Sequence, residues 1–71
     1  MSDTTFLVKL GKRIKAIRKE KKISQITLAS HCNFEKANMS RIEAGRTNPT
    51  VLTLKKISGG LGVHIRELFK D

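Results

Sequence analysis

The side chains of this sequence best suited to chemistry lie between Gln25 and Asn48. Lys36, Asn38, Ser40 and Arg41 fall within six residues, and Arg46 and Asn48 follow closely. All can donate hydrogen bonds, and no Ser-His-Asp set, carboxylate pair or phosphate-cradling loop accompanies them. Such a set suits recognition rather than bond-making. Lysine and arginine address the O6 and N7 acceptors of guanine, and asparagine suits adenine or a phosphate. Ala37, in the same stretch, offers only a methyl group, suited to thymine. Ser40 has two readings, a base contact or a small side chain that eases packing. Arg41 also has two: a base or phosphate contact, or an ion pair with Glu35 or Glu43.

Two short helices and a tight turn, spanning Ser24 to Gly45, must position these groups. Ser24 suits an N-cap, and Gln25 to Cys32 carries apolar residues at Ile26, Leu28, Ala29 and Cys32. Asn33 follows, one of the few non-glycine residues that accepts the left-handed conformation needed to leave a helix sharply. Phe34 is an apolar plug after that turn. Glu35 to Ala44 reads as a second helix that buries Met39 and Ile42, with Ala37 a further candidate, and Gly45 ends it. In a basic chain this pattern describes a helix-turn-helix whose second helix enters the major groove. Gln25 opens the first helix, where backbone N–H groups and its own amide can grip a phosphate. Arg46 and Asn48, in the loop after the second helix, suit neighbouring phosphates.

The stretch resembles the helix-turn-helix of the phage-repressor-like family of Cro and C1 repressors, often called the XRE family. The matching residues are Gln25, Leu28, Ala29, Ser40, Arg41, Ile42, Glu43 and Gly45, without a gap. Flanking matches are Leu10, Gly11, Arg13, Ile14 and Arg18 before it, and Asn48, Pro49, Thr50, Leu54, Ile57, Leu61 and Val63 after it. They extend the resemblance over residues 6 to 69. It implies an all-α, five-helix, lambda-repressor-like domain with the motif at helices 2 and 3. It also implies phosphate contacts at Gln25, Arg46 and Asn48, and an ion pair between Arg18 and Glu43. The position of Glu43, beside the inward-facing Ile42, agrees, because a buried carboxylate needs a partner. Two positions depart from the family pattern. Glu35 stands where serine or threonine commonly caps the recognition helix, and Asn33 replaces the usual turn glycine.

Composition points the same way. Fifteen Lys and Arg oppose six Asp and Glu, a net charge of +9, which favours a polyanionic partner such as nucleic acid. No apolar run approaches the ~20 residues that span a bilayer, and the first residues lack the pattern of a signal peptide. A single cysteine, Cys32, cannot staple the fold and fits a reducing cytoplasm. With His31 and His64 it forms no metal-ligand spacing, so no metal or cofactor is expected.

The rest of the chain reads as support. Residues 1–5 are expected to fray, with Ser2, Asp3 or Thr4 available as a cap and one domain from residue 6 to 71. Leu7, Leu10, Ile14 and Ile17 predict an amphipathic helix from about Phe6 to Lys21, and Lys12, Lys15, Lys19 and Lys22 form its solvated outer face. Ile23 is expected to insert into the core. Pro49 marks a turn, Thr50 caps the next helix, and Val51, Leu54, Ile57 and Leu61 form its buried face. Gly59-Gly60 permits either an early cap or a close helix crossing. A last short helix is expected from about His64 to Phe69. Leu52, Val63, Ile65 and Phe69 are the candidates for a dimer surface, while Leu68 is assigned to the core. The whole predicts a homodimeric, duplex-DNA-binding transcriptional regulator in a bacterial or phage-infected cytoplasm, such as a repressor or restriction-modification controller. An antitoxin, or a basic RNA- or protein-binding adaptor, is the alternative. No enzymatic activity, membrane or small-molecule ligand is expected.

Overall fold

The computed structural model describes residues 2–70. Four α-helices follow in order: α1 (Asp3–Glu20), α2 (Gln25–His31), α3 (Lys36–Glu43) and α4 (Val51–Leu61). A 3-10 turn (Ile65–Phe69) ends the described chain. The expected fifth helix is this 3-10 turn. The first helix begins at Asp3, three residues before the expected start. Ser2 Oγ accepts the Thr5 N–H at 3.1 Å and caps that start; Met1, part of the stretch expected to fray, lies outside the described residues.

Hydroxyl caps recur. Ser24 accepts from the Thr27 N–H at 3.0 Å to open α2, and Thr50 from the Thr53 N–H at 3.1 Å to open α4. The exception is α3, where Glu35 holds the capping position and makes no side-chain bond to the helix. All four helices end alike, each followed by a residue of positive φ: Lys22, Asn33, Gly45 and Gly62. Asn33 thus adopts the left-handed turn its type predicts. The Phe34 N–H then returns to the Ala29 carbonyl at 2.8 Å, closing the turn between α2 and α3.

One core joins the helices. Ile14 and Ile17 of α1, Leu28, Ala29 and Cys32 of the α2 region, Met39 and Ile42 of α3, and Leu54, Ile57 and Leu61 of α4 are buried together with Leu68. Ile23 and Phe34 pack against this cluster. Each large aliphatic side chain removed from water contributes ~1.5–3 kcal/mol. Val51 departs from the expected face: it is 73% exposed. As the first residue of α4 it projects beyond the core, although its periodicity matches Leu54.

Backbone proximity fixes the angles. A Cβ at Gly11 of α1 would strike the Ile42 and Glu43 carbonyls at the end of α3, and one at Gly45 would strike Val8. The α1–α3 junction is therefore backbone against backbone. The glycine pair of α4 divides in the same way. A Cβ at Gly60 would lie 2.7 Å from Leu28 Cδ1, so Gly60 permits the close α2–α4 crossing, whereas nothing lies within 4 Å of one at Gly59. The cap of α4 is Gly62, not this pair.

Candidate nucleic-acid interface

Residues 36, 37, 40 and 41 fall on one side of an α-helix, opposite Met39, Ile42 and Glu43. In the structure Lys36, Ala37, Ser40 and Arg41 are exposed, and Asn38 is half-buried at the edge of the same surface. Ala37 therefore belongs to the outer face and not to the core. Arg46 and Asn48 are exposed in the loop after α3. Among the described residues Arg41 forms no ion pair, because Glu43 is engaged elsewhere. Its guanidinium lies with the α3 donors in solvent.

The engagement of Glu43 makes the surface rigid. Arg18 Nε donates to Glu43 Oε2 at 2.7 Å and Nη2 to Oε1 at 3.0 Å, a bidentate pair whose members are 8% and 6% exposed. The third arm of the guanidinium, Nη1, donates to the Ile23 carbonyl at 2.9 Å. One side chain thus ties α1, the loop before α2, and the end of α3. Gln25 adds a fourth element, its Nε2 donating to Glu43 Oε1 at 2.9 Å. Sequence reasoning assigned Gln25 to phosphate and missed this bond, since two residues eighteen apart leave no local signal of contact. One amide N–H is committed inward, and the second N–H and the carbonyl oxygen remain for a ligand. No buried side-chain polar atom among the described residues lacks a partner.

A second junction was also missed. Arg13 Nε donates to the main-chain carbonyl of Glu67 at 2.8 Å and so fastens the 3-10 turn to α1. Lys70 Nζ pairs with Glu67 Oε2 at 2.9 Å. That hydrogen bond, with the nearby charges of Lys70, Arg13 and Arg66, lowers the Glu67 pKa against a smaller opposing effect of burial. The Cys32 thiol is pushed the other way, upward, by burial, with the Lys56 charge opposing. Among the described residues no cluster of His, Cys, Asp and Glu could hold a metal ion, and no helix is long and apolar enough to cross a membrane.

The proposed dimer residues divide. Leu52 is 71% exposed and Phe69 is 49% exposed, its ring stacked on Phe6 with centroids 6.4 Å apart. Val63 and Ile65 instead pack against the core. The cause at Ile65 is the threefold period of the 3-10 turn, which aligns Ile65 with the fully buried Leu68 and turns Phe69 off that line. The exposed apolar set therefore gains Val51, Phe6 and, on α2, Ile26, and loses Val63 and Ile65.

Comparison with known proteins agrees with this geometry. A helix-turn-helix family pattern matches residues 14–68. The chain belongs to the helix-turn-helix family. Its relatives within that family include the control protein C.MunI of a Mycoplasma species, 38% identical over 65 residues covering 90% of this chain and 88% of that protein. The immunity repressor of Bacillus phage phi105 is 43% identical over 56 residues, and the match spans about two-fifths of the repressor's own length (39%). Among solved structures, the restriction-modification controller protein C.AhdI from Aeromonas hydrophila superposes with a TM-score of 0.86 at 33% identity, over 89% of this chain and 96% of that one. The helix-turn-helix of this family is formed here by α2, Asn33 and α3.

Proposed function

We propose that this chain is a sequence-specific, duplex-DNA-binding transcriptional regulator that acts as a homodimer on an inverted repeat. The observation that carries the reading is the exposed donor face of α3, backed by the buried Arg18–Glu43 pair and the part-buried Gln25 that joins it. Lys36, Ala37, Ser40 and Arg41 read base edges in the major groove, with Asn38 between base and phosphate. Arg46, Asn48 and the outer side of Gln25 hold phosphates that set the register. Glu35, uncapped and exposed, discriminates by repulsion where a phosphate approaches it.

A single recognition helix spans too few base pairs for useful affinity, and two copies one turn of duplex apart, about 34 Å, double the site. The longest dimension of the domain is 31 Å, so two copies side by side reach that spacing. Val51, Leu52, Phe6 and Phe69 supply the apolar surface for the contact. Among regulators, a restriction-modification controller fits best, because the matches to C.MunI and C.AhdI extend over most of both partners.

Selection of bound sequences from a random duplex library at near-physiological salt tests the proposal. An enriched inverted repeat supports it and gives the half-site spacing. Binding without enrichment that fades steeply with salt sinks it in favour of phosphate gripping alone.

A further inference from the structure

Where α1 meets the 3-10 turn, the surface carries a cationic groove that the proposed reading face does not use. Lys9, Lys12, Arg13 and Ala16 fall at the three- and four-residue spacing of one helix face. Together with Lys70, just after the 3-10 turn, they line a shallow groove of about 370 Å³. Its lining is mostly apolar, built from the Ala16 methyl and the alkyl stems of the long side chains. Cations outnumber acids here. Among the described residues one carboxylate, Glu67, serves Arg13, Arg66 and Lys70 at 3.6, 3.8 and 2.9 Å, and Lys12 pairs with none.

Helix geometry separates this groove from the α3 junction. The α3 flank of α1 is marked by Gly11, against the Ile42 and Glu43 carbonyls, and by Val8, against Gly45. At about 100° per residue, Lys9 and Arg13 stand roughly 160° round the helix from Gly11, and Ala16 roughly 140°. From Val8 the same three residues lie about 80–140° away. Lys12 forms the rim nearer Val8. On the far rim Arg13 Nε donates to the Glu67 carbonyl at 2.8 Å, so the 3-10 turn, and not α3, builds the opposite wall.

We infer that this groove docks an acidic segment of a partner protein, in which carboxylates flank an apolar side chain. Charge complementarity names the occupant. Carboxylates pair with Lys12 on one wall and Lys70 on the other, beside Lys9 and Arg13, while the apolar side chain lies on Ala16. A duplex presents phosphates and sugars; an acidic peptide alternates carboxylates with apolar side chains and so matches both the charged walls and the apolar floor. From Lys9 to Ala16 the helix rises about 10 Å, so a segment of about two helical turns spans the groove. Exposed ion pairs contribute little singly and weaken with salt, which makes the contact reversible and dependent on several carboxylates at once. The docking is independent of what α3 binds.

The test is fluorescence anisotropy of a labelled twelve-residue peptide of Glu-Leu-Glu-Glu repeats, titrated with the full chain. The wild type should bind it more tightly than peptides of Gln-Leu-Gln-Gln or Glu-Ser-Glu-Glu repeats, which lack the charge or the apolar anchor. K9Q/K12Q/K70Q should weaken binding about tenfold. K15Q/K19Q/K55Q, with the same loss of charge outside the groove, should leave it unchanged. Glutamine propagates a helix about as well as lysine. Ala16→Glu offers a second variant: its carboxylate, one turn from Lys12, fills the groove from within and should also weaken peptide binding. Absence of peptide binding by the wild type overturns the inference. So does an equal loss in both triple variants, which would leave net charge alone, or equal affinity for the Glu-Ser-Glu-Glu peptide, which would take the floor out of the contact. A matching loss of affinity for a short duplex in K9Q/K12Q/K70Q would give the groove to DNA instead. A smaller sedimenting mass of that variant without peptide would give it to a second copy.

Discussion

Arg13 and Arg18 lie five residues apart on α1, and each meets a glutamate from another element. The Arg18 pair is bidentate, almost closed to water and joined by Gln25. Arg13 and Glu67 stand in partial contact with solvent, their charged ends 3.6 Å apart, and the firm bond of Arg13 goes to a backbone carbonyl. Identical residue types therefore perform different work. In the first pair each charge depends on the other, because neither can return to water while the fold persists. In the second, water and Lys70 both stand ready to compensate. The first ties α1 to the end of α3, and the second pins the 3-10 turn.

Substitutions can break this contrast at several strengths. Arg18→Ala leaves Glu43 buried and half-satisfied, and should destabilise the fold by about 3–5 kcal/mol in denaturant unfolding; a loss below about 1 kcal/mol would mean the pair is open to water. Gln25→Ala removes one hydrogen bond to that carboxylate and should cost about 1.5–3 kcal/mol. It should also weaken binding to specific and unrelated duplexes alike, whereas Lys36→Ala with Arg41→Ala should erase selectivity and leave the melting temperature in place. Arg13→Ala should cost about 1 kcal/mol. Raising salt should shrink that Arg13 effect while leaving the Arg18 effect nearly constant.

The smallest effect is the pH response of Glu67. Its lowered pKa means that folding favours the ionised form. The stabilisation is complete above the carboxylate's unfolded pKa and is lost as pH falls through its folded value. Glu67→Gln should flatten this acid limb slightly in a melting-temperature profile. The Arg13 bond to the main-chain carbonyl survives protonation, so the turn should stay attached.

Much of this was legible in the sequence where a local pattern carried it. The three- and four-residue spacing of Leu10, Ile14 and Ile17 marked the core face of α1, and Asn33 announced a left-handed turn. The Arg18–Glu43 pair was reached through resemblance. What escaped were contacts between residues far apart in the chain, Gln25 with Glu43 and Arg13 with Glu67, which no local periodicity encodes. Val51 and Ile65 failed for a different reason. At the first turn of a helix, matching the apolar period does not guarantee a neighbour, and in a 3-10 turn the period itself changes. Of the candidate site, the shared exposed face of the α3 donors was readable from type and spacing, whereas the network behind them was readable only in part.

Cys32 gives the molecule its own gauge of opening. The thiol lies 1% exposed in the core and its pKa is pushed up by burial, while an electrophile reacts with the thiolate form. A reagent can therefore reach it only when α2 lifts from α4 or the whole chain unfolds. Where reclosing outruns reaction, the labelling rate counts the population of that opened state. Because Cys32 is the only cysteine in the chain, the signal has one source and needs no engineered probe. The helix whose departure it records is the one that braces α3, so the same clock times the interval over which α3 keeps one orientation.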